Sequence, residues 1–202
     1  MYDRSGAATS RRGRARGTAR RAGATLLEAL IYLTILGLVV APITFVILIS
    51  LRTNLANDAM NSVSERSRVA VSRVAAERRV AIGTTISVAP DGKSVTFLLP
   101  AGYDGTAIVQ GHRIRFELGL LPDETANGFD DNGNGLVDEG QIARHDLDTG
   151  ELFAFSGGID LARSRFDLLG NAVRVTLVHQ THVPYEESLH TVLRSIQIKA
   201  RN

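Results

Sequence analysis

The sequence predicts an α+β fold in which one long N-terminal helix precedes an antiparallel β-sheet. Residues 29–51 contain no charged side chain, and residues 54–80 contain neither proline nor glycine and carry apolar residues at helical spacing. From Thr84 onward, apolar positions alternate with polar ones, as in strands that bury one face. Strands that follow a single helix and are joined by turns are expected to form a sheet that packs on that helix. A chain of 202 residues is long enough for one such domain and a membrane segment.

Residues 1–23 form a basic leader. They contain seven arginines and one acidic residue, Asp3, although the net charge of the whole chain is only +2. They show no apolar periodicity, so we predict that they are disordered and removed. Positive charge ahead of an apolar span keeps the N-terminal end of the span in the cytoplasm. We therefore expect the arginines to set the orientation of the chain in the membrane and not to bind nucleic acid. An ordinary secretory signal is cut after its apolar region, but no small-x-small site follows here near Ser50.

The junction between the leader and the apolar run reads GATLLE, from Gly23 to Glu28. It resembles the class III signal of type IV pilins and of the pseudopilins of type II secretion systems. The resemblance implies that a prepilin peptidase cuts between Gly23 and Ala24, that the new N-terminus is methylated, and that Glu28 becomes the fifth mature residue. Residues 24–51 would then be the transmembrane and polymerisation half of the helix. Residues 29–51 alone would extend about 35 Å as a helix, enough to cross a bilayer core.

Glu28 is the carboxylate at the start of this apolar segment. A charged side chain inside a bilayer costs about 2.5–3.5 kcal/mol on insertion scales. One interpretation places the Glu28 carboxylate among lipid headgroups. The other, which the resemblance implies, pairs it with the free α-amino group of a neighbouring subunit and so fixes the register of assembly. The Gly23 junction and the basic leader favour the second interpretation.

Two positions differ from an ordinary major pilin. The first mature residue would be Ala24 where pilins commonly have phenylalanine, and Pro42 lies a few positions before the usual proline, whereas Gly37 occupies a common glycine position. The chain also has no cysteine, which excludes a disulfide. With its TLLE start and strand-rich remainder, it is most similar to the J-like minor pseudopilins.

Residues 52–82 are predicted to continue the helix as an amphipathic half that covers the sheet and ends at Gly83. Its mostly apolar stripe recurs at spacings of three and four and consists of Ala56, Met60, Val63, Ser67, Ala70 and Val74. The charged residues fall largely off this stripe: Arg52, Asp58, Glu65, Arg66, Arg73 and Arg78. A coiled-coil dimer is the alternative, which the small residues on the stripe disfavour.

Residues 83–202 are predicted to form an antiparallel β head. The predicted strands are residues 85–89, 94–99, 112–118, 141–145, 151–155, 171–179 and 189–199. The turn sequences PDGK at 90–93 and DTG at 148–150 each join two of them. The pilin resemblance implies the same lollipop-like arrangement of a long helix and a globular head.

An acidic insert at residues 122–140 interrupts the strands. It contains D-x-N-x-N-G-x-x-D from Asp130, which places side-chain oxygens at alternate positions and a glycine at the tight turn. The pattern resembles the calcium loops of EF-hands. The ligands that this resemblance implies are Asp130, Asn132, Asn134, Leu136 through its carbonyl, and Asp138. The usual glutamate of the twelfth position is Gln141 here, so Glu139 or Glu124 is expected to substitute. We therefore predict Ca²⁺ as cofactor, with a metal-free polar turn as the alternative.

No catalytic residues are predicted, and the chain is not expected to be an enzyme. The sequence lacks H-E-x-x-H, G-x-S-x-G and P-loop motifs. We expect all five histidines at the surface: His112, His145, His179, His182 and His190. His145, Asp146 and Asp148 beside a turn form a second, less specific metal pattern.

The predicted function is that of a minor pilin or pseudopilin in a type II secretion pseudopilus or a type IV pilus. Its partners would be other pilin or pseudopilin subunits, the prepilin peptidase and the inner-membrane assembly platform. It would cross the bacterial inner membrane once, with a cytoplasmic N-terminus and a periplasmic head, before entering the filament. One alternative is a major pilin-like subunit for adhesion or DNA uptake. The other is a calcium-binding surface protein that keeps its leader as an anchor and never polymerises.

Overall fold

The computed structural model describes residues 18–183 and 189–199, with side chains described from Thr25 onward. The chain divides into two compact units, Met1–Leu51 and Arg52–Asn202. Helix α1 (Thr18–Val80) contributes to both units. It begins inside the predicted leader, so the prediction of disorder is wrong for residues 18–23, while residues 1–17 lie outside the described part of the chain.

The first unit contains the apolar part of α1. Its side chains from Thr25 to Leu51 are exposed, and Pro42 lies inside the helix without ending it. The helix has a mean hydropathy of 2.6 in its most apolar stretch, and it is long and apolar enough to cross a membrane. The sequence prediction of one membrane-spanning helix therefore agrees with the length and composition of the helix.

In the second unit, one face of α1 is buried. Val63, Ser67, Ala70 and Val74 of the predicted stripe are all buried. Arg78 was predicted to lie largely off the stripe, but it is also buried, because it follows Val74 by four residues and so shares its face.

The Arg78 guanidinium is only partly satisfied. Its Nη2 donates to the Asn171 carbonyl over 3.1 Å, whereas its Nε and Nη1 have no hydrogen-bond partner among the residues that the structure describes. Burial lowers the pKa of Arg78. The helix therefore carries a cation into the interface with the sheet, as well as apolar side chains.

After α1, a short 3₁₀ helix (Gly83–Thr85) leads into an eight-stranded sheet in which every pairing is antiparallel. The strands are β1 Ser87–Val88, β2 Ser94–Tyr103, β3 Ile108–Leu120, β4 Gly140–Asp146, β5 Leu152–Ile159, β6 Arg165–Leu169, β7 Ala172–His182 and β8 Leu189–Lys199. Their order is β1-β2-β3-β4-β5-β7-β6, and β8 pairs with the other side of β7 along all eleven residues. The α+β prediction is confirmed at this level.

Strand β6 is the element that the sequence prediction missed. It pairs with β7 from Arg165 opposite Thr176 to Leu169 opposite Ala172, so Gly170 and Asn171 form a two-residue hairpin loop. Gly170 has φ +61°. Glycine followed by asparagine between two apolar runs is a recognised hairpin signal, and it could have revealed β6.

The core of the second unit lies between α1 and the inner face of the sheet. Ala70, Val71, Val74 and Ala75 of the helix belong to the same buried cluster as the strand residues. The largest fully buried strand side chains in this cluster are Phe97, Ile114, Phe116, Ile142, Ile159, Phe166 and Leu177. Buried positions alternate with more exposed ones in β3, because successive side chains of a strand point to opposite faces. Strands β4 and β7 also bury some neighbouring residues.

A partly buried ion pair also joins the helix to the sheet. Arg144 Nε of β4 lies 2.9 Å from Glu77 Oε2 and 3.0 Å from Glu77 Oε1. Both side chains are about one-fifth exposed, at 20% and 22%. The pair therefore fixes the position of the last turns of α1 on β4 at the edge of the core.

Candidate functional site

Gly23 and Ala24, the predicted cleavage site, lie within the helical backbone of α1, and their side chains are outside the described part of the chain. Glu28 is exposed one turn further on. Its carboxylate accepts a 3.3 Å hydrogen bond from the Tyr32 hydroxyl, four residues ahead. A phenol is neutral, so this bond supplies no positive charge to offset the negative charge of the Glu28 carboxylate.

The acidic insert forms the loop between β3 and β4, and Leu136 attaches it to the head. The Leu136 side chain is buried, although its neighbours Phe129 and Val137 are exposed. A Cβ at Gly135 would lie 2.8 Å from Cγ of His182 on β7, so only glycine permits this close approach. The loop is thus fixed against the sheet in the middle of the sequence motif.

Alternate side chains of the motif accept hydrogen bonds from the loop's own backbone. Asp130 accepts from the amides of Gly133 and Gly135, each over 2.7 Å. Asn132 Oδ1 accepts from the Asn134 amide over 3.1 Å, and Asn134 Oδ1 accepts from the Leu136 amide over 2.8 Å. The chain therefore winds around its own oxygen-bearing side chains, with Gly133 and Gly135 at φ +74° and +84°.

Glu124 and Glu139, from the two ends of the loop, contact the segment that contains Asn132 and Asn134. Glu139 is 1% exposed, and its Oε1 accepts from the side-chain amides of Asn132, over 3.0 Å, and of Asn134. Glu124 is 7% exposed, and its Oε1 accepts from the Asn132 backbone amide over 3.3 Å. The Oε2 atoms of both glutamates are buried without a hydrogen-bond partner among the described residues.

The charge of Glu139 also affects the ionisation of Glu124. Burial raises the pKa of Glu124, and the negative charge of Glu139 raises it further. Two carboxylates out of water and close enough to repel are costly, and buried charges are normally paired or bound to a metal.

Asp138, a predicted ligand, contacts backbone amides near the start of the loop. Its Oδ1 accepts from the amides of Asn127 and Gly128 over 3.0 and 3.1 Å, and its Oδ2 accepts from Gly128 over 3.0 Å. Asp138 has a positive φ of 48°, which aspartate tolerates better than most residues. Asp131 similarly accepts from Thr125 and from the Asn127 side chain. Asp131 and Asp138 therefore hold the segment around Asn127, whereas Asp130 and Glu139 both accept hydrogen bonds from Asn134.

A second group of possible ligand atoms lies at the β4–β5 turn. His112, Asp146 and Asp148 each offer an atom within 4.8 Å of the other two. His112 Nδ1 lies 2.8 Å from Asp146 Oδ2, while Asp146 Oδ1 accepts from the amides of Asp148 and Thr149. The sequence pattern predicted His145, and not His112, as the histidine of this group, but His145 Nε2 lies 3.8 Å from Glu117 Oε2. The carboxylate of Asp146 is already satisfied by the turn, so these contacts explain the group without a metal.

His179 corrects the expectation that all histidines lie at the surface. It is 1% exposed on β7, and Ser156 Oγ of β5 lies 2.8 Å from its Nε2. Burial is the largest cause that lowers the pKa of His179 to about 4, and the positive charges of Arg66 and Arg194 contribute the rest of this shift. Its Nδ1 has no hydrogen-bond partner among the described residues, so no carboxylate there orients the ring as in a catalytic triad.

Comparison with known proteins found no relative: no family model, no curated protein and no solved structure matches the chain.

Proposed function

We propose that this chain is a minor pilin or pseudopilin, a structural subunit of a type II secretion pseudopilus or a type IV pilus. In this proposal a prepilin peptidase removes the basic leader after Gly23. The mature chain stays in the inner membrane through α1, with the second unit in the periplasm. It then joins other subunits at the assembly platform.

The observation that carries the proposal is the charge of Glu28 at the start of an apolar helix. The side chains of α1 around it are exposed over 25–51, and the neutral hydroxyl of Tyr32 is the partner described for its carboxylate. Burying an uncompensated charge in a bilayer is unfavourable. An α-amino group at Ala24 of a neighbouring subunit would compensate this charge and fix the axial register between the two helices.

The second unit supports the same proposal. Its buried helix face and antiparallel sheet form a head on the same helix that carries the apolar segment. The alternative of a major pilin-like subunit shares this architecture and differs in abundance, which quantitative mass spectrometry of sheared filaments measures. A surface protein that never polymerises would keep residues 1–23.

Processing is the first test. We expect mass spectrometry of the membrane-extracted protein to find Ala24 as the N-terminus, with the mass of one added methyl group. Gly23→Leu should leave the leader attached, because the peptidase must accommodate the residue before the cut. Gly37→Leu, a glycine with open space around it, is the matched control and should be processed normally. A mature chain that begins at Met1 would refute the pilin assignment and favour the surface protein.

Assembly is the second test, and the absence of native cysteines makes it direct. A single cysteine in place of exposed Leu33 or Val39, labelled with a photoactivatable maleimide, should cross-link to partner subunits in the membrane on illumination. We expect Glu28→Ala to abolish this cross-linking but not membrane insertion, since the helix becomes more apolar. Asp58→Ala, which removes an exposed acid further along α1, should cross-link normally. Equal cross-linking in Glu28→Ala would place the carboxylate among the headgroups instead.

A further inference from the structure

We propose that the β3–β4 loop binds a Ca²⁺ ion, and that Glu124 and Glu139 complete a site that the linear motif leaves unfinished. The ligands are the side chains of Asp130, Asn132, Asn134, Glu124 and Glu139, and the carbonyl of Leu136. This inference does not depend on the proposed function, because any protein with this head would carry the site.

The strongest argument is the pair of unpartnered carboxylate oxygens. Oε2 of Glu139 and Oε2 of Glu124 are both buried, and neither accepts a hydrogen bond within the described chain. Both glutamates are more than nine-tenths buried, and their Oε1 atoms contact the motif residues Asn132 and Asn134. A divalent cation between these oxygens would replace repulsion by attraction and would satisfy both Oε2 atoms.

The chemistry of the ligands favours calcium. All six donors are oxygens, three from carboxylates and three from neutral amide or peptide carbonyls. Calcium accepts six to eight oxygens in flexible geometry, whereas magnesium requires a stricter octahedron and usually keeps several waters. The absence of cysteine and of a nitrogen donor among these residues argues against zinc and other transition metals.

The loop is also organised before any ion binds. The amides of Gly133 and Gly135 hold the Asp130 carboxylate, and buried Leu136 anchors the carbonyl-bearing residue to the head. Asp138 holds the start of the loop through Asn127 and Gly128, so its role is to position the loop. Little chain entropy is then left to lose on binding, which favours affinity.

The test uses the full chain in detergent after chelation, titrated with CaCl₂ by isothermal calorimetry. We expect one calcium per chain and a higher melting temperature in millimolar CaCl₂ than in chelator, since an ion that binds only the folded state stabilises it. The same concentration of MgCl₂ should have a much smaller effect. No heat of binding together with identical melting would overturn the proposal, and equal effects of magnesium would overturn the choice of calcium.

Variants distinguish direct ligation by the proposed residues from a general effect of the negative charge of the loop. Glu139→Gln and Glu124→Gln should each weaken calcium binding by about tenfold or more, because the number of ligand charges tunes the affinity of such sites. In chelator both should melt at least as high as the parent chain, because each removes a buried charge. Asp123→Asn, at an exposed acid of the same loop, is the matched control with the same loss of charge, and it should bind as the parent does. If Asp123→Asn loses as much affinity as Glu139→Gln, the proposed ligands are wrong.

Discussion

His179 shows how a single buried titratable residue makes the stability of this protein depend on pH. It packs at the centre of β7 near Arg66 of α1 and Arg194 of β8, and Ser156 contacts its Nε2. Burial and these two cations keep the ring neutral in the folded state, with a pKa of about 4. The unfolded chain has the ordinary histidine pKa of about 6.5.

The difference in pKa predicts a loss of stability in acid. Between pH 6.5 and about 4 the unfolded state binds a proton that the folded state does not. The contribution of His179 is therefore complete above pH 6.5 and is lost as the pH falls through this window. Urea unfolding of the detergent-solubilised chain at pH 7.5 and pH 5 measures it.

The matched variants are His179→Gln and His190→Gln. We expect His179→Gln to reduce the fall in unfolding free energy between the two pH values, because glutamine does not titrate. His190→Gln, on the partly exposed part of β8, should keep the full pH dependence. An unchanged pH dependence in His179→Gln would contradict the assignment.

At the scale of elements, the β2–β3 hairpin contains an irregularity that depends on one glycine. The register between the two strands shifts on either side of Pro100, which pairs with Gln110. A Cβ at Gly111 would lie 2.8 Å from the Leu99 carbonyl oxygen and 2.9 Å from the Ala101 nitrogen. Gly111 therefore lets the backbone of β3 pass close to the bulged part of β2.

This contact predicts different outcomes for two glycines of the same strand. Gly111→Ala should lower the unfolding free energy by about 1–3 kcal/mol, because the contacting atoms are backbone and cannot move cheaply. Gly119→Ala meets nothing within 4 Å and should be close to neutral. Urea unfolding of both variants checks the prediction, and an equal response would mean that β2 relaxes away from Gly111.

At the scale of the whole molecule, the helix and the sheet of the second unit share one core. Ala70, Val71, Val74 and Ala75 of α1 belong to the same buried cluster as Phe97 and Phe116 of the sheet. The sheet alone would expose this apolar face to water, which is strongly unfavourable. The chain from Arg52 onward is therefore the smallest part expected to fold independently.

Two fragments test this division of the chain. Residues 52–202 should be soluble without detergent and unfold cooperatively by circular dichroism, because they include the whole of the second unit. Residues 84–202 lack the helix and should aggregate or fail to show a cooperative transition. If residues 84–202 folded with the same stability, the helix would be an accessory to the sheet.

The sequence alone determined the architecture wherever side-chain periodicity is strong. The uncharged run over 29–51 predicted the membrane-compatible helix. Alternation together with two turn sequences predicted the described strands other than β6, although β2, β3, β5 and β7 extend beyond the predicted bounds. These predictions succeed because the period of the apolar residues is a local property of the chain. Strand β6 does not follow from this periodicity, because five residues, RFDLL, are too few to establish an alternation.

Only the tertiary structure decided which polar residues enter the core and which acids of the insert face each other. Arg78 and His179 are polar in sequence, but the face of the element on which each lies buries them. The motif D-x-N-x-N-G located the loop, yet Glu124 reaches Asn132 only because β3 and β4 bring the two ends of the loop together. Pairing of this kind depends on strand register and packing over long stretches of chain, which local spacing does not encode.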